Sequence, residues 1–103
     1  MPIRIKFNQW DCLLLRSSVY GNGRTALVLI DYHDKEPVAV ATVNLPHVPL
    51  AKDEVIIKDY SENEGMLQAL VDAGIVKPTG RMVISGFVAM EVCKLLKKEL
   101  IQE

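Results

Sequence analysis

Residues 56–66, IIKDYSENEGM, set three carboxylates, Asp59, Glu62 and Glu64, within six positions, and Asp53 and Glu54 stand a few residues upstream. Carboxylates gathered this way are the raw material for a hard-cation site or for acid–base catalysis. The spacing argues for neither. A calcium loop alternates Asp or Asn ligands about a central Gly, and that pattern is missing here. Ser61 and Glu64 instead have the spacing of a capping box, in which the hydroxyl accepts from a free helical N–H and the carboxylate reaches back to the cap. Glu62 and Glu64 then fall in a first turn, where the helix dipole favours negative charge. The segment is expected to start a helix and to hold no metal. Asp59, Tyr60, Glu62, Asn63 and Glu64 form a candidate surface for a basic protein partner. If Ser61 is the cap, Ser61→Ala costs about 1 kcal/mol and Asp59→Asn less.

The other reactive side chains are scattered. His33 and His47 lie in separate loops without a cysteine or second histidine at zinc-ligand spacing. GNGR and PTGR lack the strand–loop–helix setting and the Lys-Ser/Thr of a phosphate loop, so they read as turns. Their arginines, Arg24 and Arg81, are the alternative anion-binding candidates. Cys12 sits in an apolar run and Cys93 on an expected apolar face, neither placed as an activated nucleophile. No Ser/His/Asp set stands at interpretable spacing. The expectation is a protein that is not an enzyme and needs no cofactor. Trp10, Tyr20, Tyr32 and Tyr60 flank turns or element ends, where aromatics usually border a core; Tyr32 and Tyr60, beside acidic residues, are also candidates for a contact surface.

These side chains need a scaffold, and the first half of the chain reads as strands. CLLLRSSVY and RTALVLID flank GNG, and Asn22-Gly23 is a strong hairpin signal because both residues tolerate positive φ. ALVLI and VAVATV are separated by DYHDKEP, a reversing loop. NLPHVPL, with two prolines, cannot sit inside a sheet, whereas DEVIIK is a short strand and IRIKF precedes the set. This predicts an antiparallel meander of four to five strands. A helix follows over roughly residues 62–73, closed by Gly74 and Ile75. Met66, Leu67, Leu70 and Val71 form its apolar arc, Glu64, Gln68 and Asp72 face away, and Gly65, Ala69 and Ala73 make a ridge of small residues open to close approach. After a Pro-Thr-Gly turn, Val88, Val92, Leu95, Leu96 and Leu100 share a helical face, predicting a C-terminal helix from about residue 89. The competing reading is a strand over 87–95, which the β-branched residues leave open.

Length and composition narrow the class. The 103 residues make one α+β domain, 1–103, half apolar and about a quarter charged, with a net charge of −1. Apolar runs such as Cys12–Leu15 and Ala26–Ile30 are too short to span a membrane. The first residues have no apolar signal region, so the cytoplasm is the expected compartment and both cysteines are expected reduced. Lys94, Lys97 and Lys98 form the one basic cluster, too little for a duplex-binding face, so direct nucleic-acid binding is not expected. The apolar runs Cys12–Leu15 and Ala26–Ile30 imply strands buried on both faces. A helix of about 18 Å covers one face of a few strands. The other face needs the C-terminal helix or a second copy, so a homodimer is expected.

TALVLID, EPVAVATVNLP, DEVIIKDYSENEGML, LVDAGIV and PTGR…SGFV resemble a family of small uncharacterised proteins of phages and other bacterial mobile elements. The resemblance runs over about residues 12–96 and is most specific at IKDYSENEGM. It brings no assigned activity and therefore no catalytic residues. It implies an accessory protein that binds a host component, a defence system included. The alternative class is a small-molecule binder, such as a sponge for a nucleotide signal, holding phosphate through Arg24 or Arg81.

Overall fold

A computed structural model describes residues 3–15 and 19–101 of the chain. The predicted strand and helix ends at 16–18 and 102–103 lie outside these residues. The strands and helix run in the order β1 (Ile3–Phe7), β2 (Trp10–Leu14), β3 (Val28–Asp31), β4 (Pro37–Val40), β5 (Thr42–Val43), β6 (Glu54–Ile57), α1 (Met66–Asp72), β7 (Val76–Ser85) and β8 (Val88–Leu95). The class is α+β, but the single meander gives way to two four-stranded antiparallel sheets, ordered β1-β2-β3-β4 and β5-β6-β8-β7.

The sheets separate at Ala41, inside what reads in sequence as one strand. Val40 pairs with Val28 of the first sheet, whereas Thr42 pairs with Ile57 of the second. Between them the Ala41 N–H donates to the Leu27 carbonyl (2.7 Å), and the Ala41 carbonyl accepts from the Lys58 N–H (2.8 Å). One buried residue thus bonds to both sheets, and its small side chain suits the corner. Period-2 alternation is the same on either side of this corner, so pattern reading cannot detect it.

The inner faces and α1 enclose the main core. Ile5, Phe7, Cys12, Leu14, Leu27 and Leu29 come from the first half of the chain, Val55, Ile57, Val76, Cys93 and Leu95 from the second sheet, and Met66, Leu70 and Ile75 from the helical segment. The second sheet buries its other face too. Ile56, Met90 and Val92 lie beneath Leu45, Val48 and Leu50 of the proline-containing connection between β5 and β6.

The expected C-terminal helix is a strand. Residues Val88–Leu95 pair with β6 on one side and β7 on the other. The segment VAMEVCKL fits both periodicities, since Met90 and Val92 enter one cluster while Cys93 and Leu95 enter the other. Two available strand neighbours decide between them. Beyond it, Lys98–Leu100 makes a single 3₁₀ turn, pinned where the Thr25 hydroxyl donates to the Leu100 carbonyl (2.9 Å). The PTG stretch is likewise no turn. It is an irregularity within β7, where the pairing shifts register between Pro78 and Met82. An edge strand tolerates the proline, and Gly80 supplies the positive φ of 84°. A turn forms at GNG, but its central pair is Gly21-Asn22, with the Gly23 N–H bonded to the Tyr20 carbonyl (2.9 Å). Gly23 takes a positive φ (85°) and Asn22 does not, and β2 pairs with β3.

Candidate functional site

The DYSENEG segment does not start its helix by a capping box. Ser61–Asn63 is a 3₁₀ turn and α1 begins only at Met66, not at 62. Ser61 has a positive φ of 54°, a left-handed conformation, and its side chain caps nothing. Gly65 stands at the N-cap position with φ 93° and has no side chain to offer. Asp59 supplies the missing acceptor. Its Oδ1 takes the Leu67 N–H at 3.0 Å, serving the second helical position from eight residues upstream. The helix end forms as expected: the Ile75 N–H reaches the Leu70 carbonyl (2.9 Å) and the Gly74 N–H the Val71 carbonyl (3.0 Å), with Gly74 at φ 72°. The apolar arc also holds, with Met66 and Leu70 fully buried and Leu67 and Val71 packed beside them. Gly65 lies outside the helix, and the close approach is by a side chain: a Cβ there would meet Asn8 Oδ1 at 3.2 Å.

The five candidate partner-binding residues therefore divide. Asp59 is a helix cap. Asn63 is buried, and its Nδ2 donates to the Val40 carbonyl (2.8 Å), fastening the 3₁₀ turn to β4. Glu64 is exposed, and its carbonyl accepts from Asn8 Nδ2 (3.4 Å). Tyr60 is half-buried against the second-sheet cluster, with the Lys58 ammonium 5.4 Å from its ring centre. Glu62 is exposed as well. Ion-paired with Lys58, whose hydrogen bond holds the carboxyl below its usual range, it keeps 68% of its side chain exposed.

Glu62 walls two depressions. One, about 350 Å³, lies between Trp10, Phe7, Val38 and the β3–β4 loop, which brings Asp31, Asp34 and Glu36. The other, about 460 Å³, runs beside β4 and β5 and includes Tyr20, Val40, Asn44, Lys58 and Tyr60. The loop carboxylates are organised by its backbone. Asp31 Oδ1 accepts from the His33 N–H (2.8 Å) and the Asp34 N–H (3.2 Å), which pull its carboxyl below the usual range. Asp34 Oδ1 accepts from the Glu36 N–H (2.9 Å). In sequence DYHDKEP reads as a reversing loop, with Tyr32 beside its acidic residues as a contact-surface candidate. Its density of carboxylates was visible, but its approach to Glu62 depends on β4 folding back along β3.

The two arginines hold protein groups. Arg24 donates to the carbonyls of Leu45 (2.8 Å) and Val48 (2.5 Å). Arg81 grips both Glu54 carboxylate oxygens (3.1 and 3.3 Å) and the Pro49 carbonyl (3.1 Å). Both fasten the 44–53 connection over Ile56, Met90 and Val92, a role neither turn motif announced. The acidic residues once grouped in sequence are likewise dispersed: Asp53 pairs with Lys94 (3.6 Å) and Glu54 with Arg81. Among the described residues no group of three or more His, Cys, Asp or Glu could hold a metal ion. Both cysteines are buried, and desolvation pushes the Cys93 thiol up to about 12, which keeps it protonated. Exposed His33 meets Tyr32 edge-on at 5.2 Å, and Arg4 stacks 3.9 Å over the same Tyr32 ring while pairing with Asp11. His47 is exposed in the clamped connection. No described helix is long and apolar enough to cross a membrane. No family model, no curated protein and no solved structure matches the chain.

Proposed function

We propose that the protein is a non-enzymatic accessory protein of a phage or mobile element. In the cytoplasm it binds a host protein through a basic side chain seated between Trp10 and Glu62. One observation carries this reading: Glu62 stands between an acidic cleft with an exposed indole and a second groove lined by two tyrosines. An arginine or lysine entering the cleft meets carboxylates for charge-assisted hydrogen bonds and an aromatic face for a cation–π contact. The resemblance to mobile-element proteins supports a host target, and a component of a defence system is the role proposed. The commitment of Arg24 and Arg81 to the 44–53 connection weighs against the nucleotide-sponge alternative.

The test is affinity capture from bacterial lysate with the wild type and with a Glu36→Gln/Glu62→Gln double variant, followed by titration of the captured protein against the fluorescence of Trp10, the only tryptophan. Loss of capture by the double variant and a Trp10 response that weakens with salt are expected. Equal capture by the double variant would overturn the proposal.

A further inference from the structure

The sheet edges are protected in different ways, and one stretch is bare. β1 carries Arg4 and Lys6, charges that discourage strand addition. β4 opens with Pro37, and along β4 and β5 the Val40 carbonyl is taken by Asn63 and the Thr42 carbonyl by the Tyr20 hydroxyl (3.0 Å). The first half of β7 has Pro78 and the register shift at Thr79–Arg81. Its second half, Met82–Ser85, has no charge, proline or irregularity, and among the described residues its outer side bonds to nothing. Ile84 is 76% exposed and Met82 about half exposed, while Phe87, in the two-residue turn after Ser85, is fully exposed.

We infer that Met82–Ser85 pairs antiparallel with the same strand of a second copy, making a two-fold dimer with one continuous eight-stranded sheet. Three observations select a second copy as the occupant. The stretch itself carries no charge: the preceding Arg81 is paired with Glu54 of its own chain, and Glu91, across from Met82, accepts from the Gly80 N–H (3.0 Å). Antiparallel pairing of a strand with itself is two-fold by construction, so the same patch serves on both sides. The edge also adjoins a groove of about 480 Å³ whose walls are mostly apolar, from Val48, Pro49, Leu50, Met82 and Val83, with the Arg81–Glu54 pair beside them. A knob and a groove therefore sit side by side, and a two-fold axis offers each Phe87 to the other copy's groove. The contact is small. A fully buried Phe contributes roughly 200 Å², against about 800 Å² per partner in a standard interface, so the dimer is weak and concentration-dependent.

Sedimentation equilibrium from about 10 µM to 1 mM should show the mass rising from monomer toward dimer, with amide exchange at Met82–Ser85 slowing over the same range. Ile84→Lys and Phe87→Asp, at exposed positions, should each weaken association at least about tenfold with unchanged thermal unfolding. Leu15→Lys, on the outer face of the first sheet, should leave it unaltered. A monomer throughout, a dimer abolished by Leu15→Lys but not by Ile84→Lys, or association without protection of Met82–Ser85 would each overturn the inference. The exchange measurement on the wild type decides the matter should either hairpin variant fail to fold.

Discussion

The two sheets treat their outer faces differently. The first leaves Leu13, Val28 and Ile30 half-buried, with Leu15 and Val40 exposed. The second covers Ile56, Met90 and Val92 completely, using a connection of mixed composition with no regular structure. The difference teaches that a third layer does not require a helix. A loop serves when charged side chains take up its carbonyls, because a backbone group held near the core needs a partner. Arg24 and Arg81 act as rivets, from elements 21 to 32 residues distant in sequence.

Breaking the covered face should have the largest effect. Ile56→Ala is expected to destabilise by about 2–5 kcal/mol, the range for deleting a fully buried aliphatic side chain. Ile30→Ala, on the half-buried face of the first sheet, should cost well below that. Urea unfolding of the two variants compares them directly, and equal losses would erase the distinction between the sheets.

Removing a rivet comes next. Arg24→Met should cost about 2 kcal/mol, the scale for hydrogen bonds to a charged group whose partners lose satisfaction. Arg81→Met should cost less, since half of that side chain is in solvent. In Arg24→Met, amide exchange should accelerate at Val48, whose N–H bonds within the connection (3.0 Å), and stay unchanged at Leu14 and Leu29.

The same contrast between local and distant support holds at the helix start. Asp59→Ala should lose about 1 kcal/mol, as for removal of a capping acceptor. Ser61→Ala should be nearly neutral, the reverse of the order that the capping-box spacing implies. Ser61→Gly should stabilise by up to about 1 kcal/mol, because glycine adopts the left-handed conformation without strain. Thermal unfolding midpoints rank the three.

Titration has the smallest effect near neutral pH and a growing one toward either extreme. Glu54 has its carboxyl lowered from the ordinary 4.5, first by the Ala51 N–H and further by Arg81. A depressed carboxyl contributes stability that is full above the ordinary value and is lost as pH falls through the folded one. Glu54→Gln should therefore flatten the acid limb of the stability profile below about pH 4.5 while leaving the neutral plateau lower. Cys93 acts at the other end. Its raised value means that stability declines as pH rises above the ordinary 9.0 toward about 12. Cys93→Ala should make that alkaline slope shallower, leaving the share of Cys12, whose thiol burial also raises, measured by urea midpoints across the range.

What could be read in advance was local. Gly74 and Ile75 end the helix by contacts within six residues, so their spacing was enough. The prolines of NLPHVPL acted likewise through their own φ restriction. The candidate site was half legible. Glu62 was correctly exposed, yet Asn63 and Asp59 looked equally available until their distant partners were known.

The sequence by itself determined the class, the strands up to β6, the helix's buried arc and its closing turn, because propensity, turn chemistry and periodicity act between near neighbours. Tertiary structure alone decided where one strand divides between sheets, that VAMEVCKL extends instead of coiling, and which carboxylate caps the helix. It also decided that two turn arginines clamp a loop and that Glu62 meets Trp10 across a cleft. Each outcome depends on a partner many residues away, and a residue's type says how it can bond without saying what the fold will bring within reach.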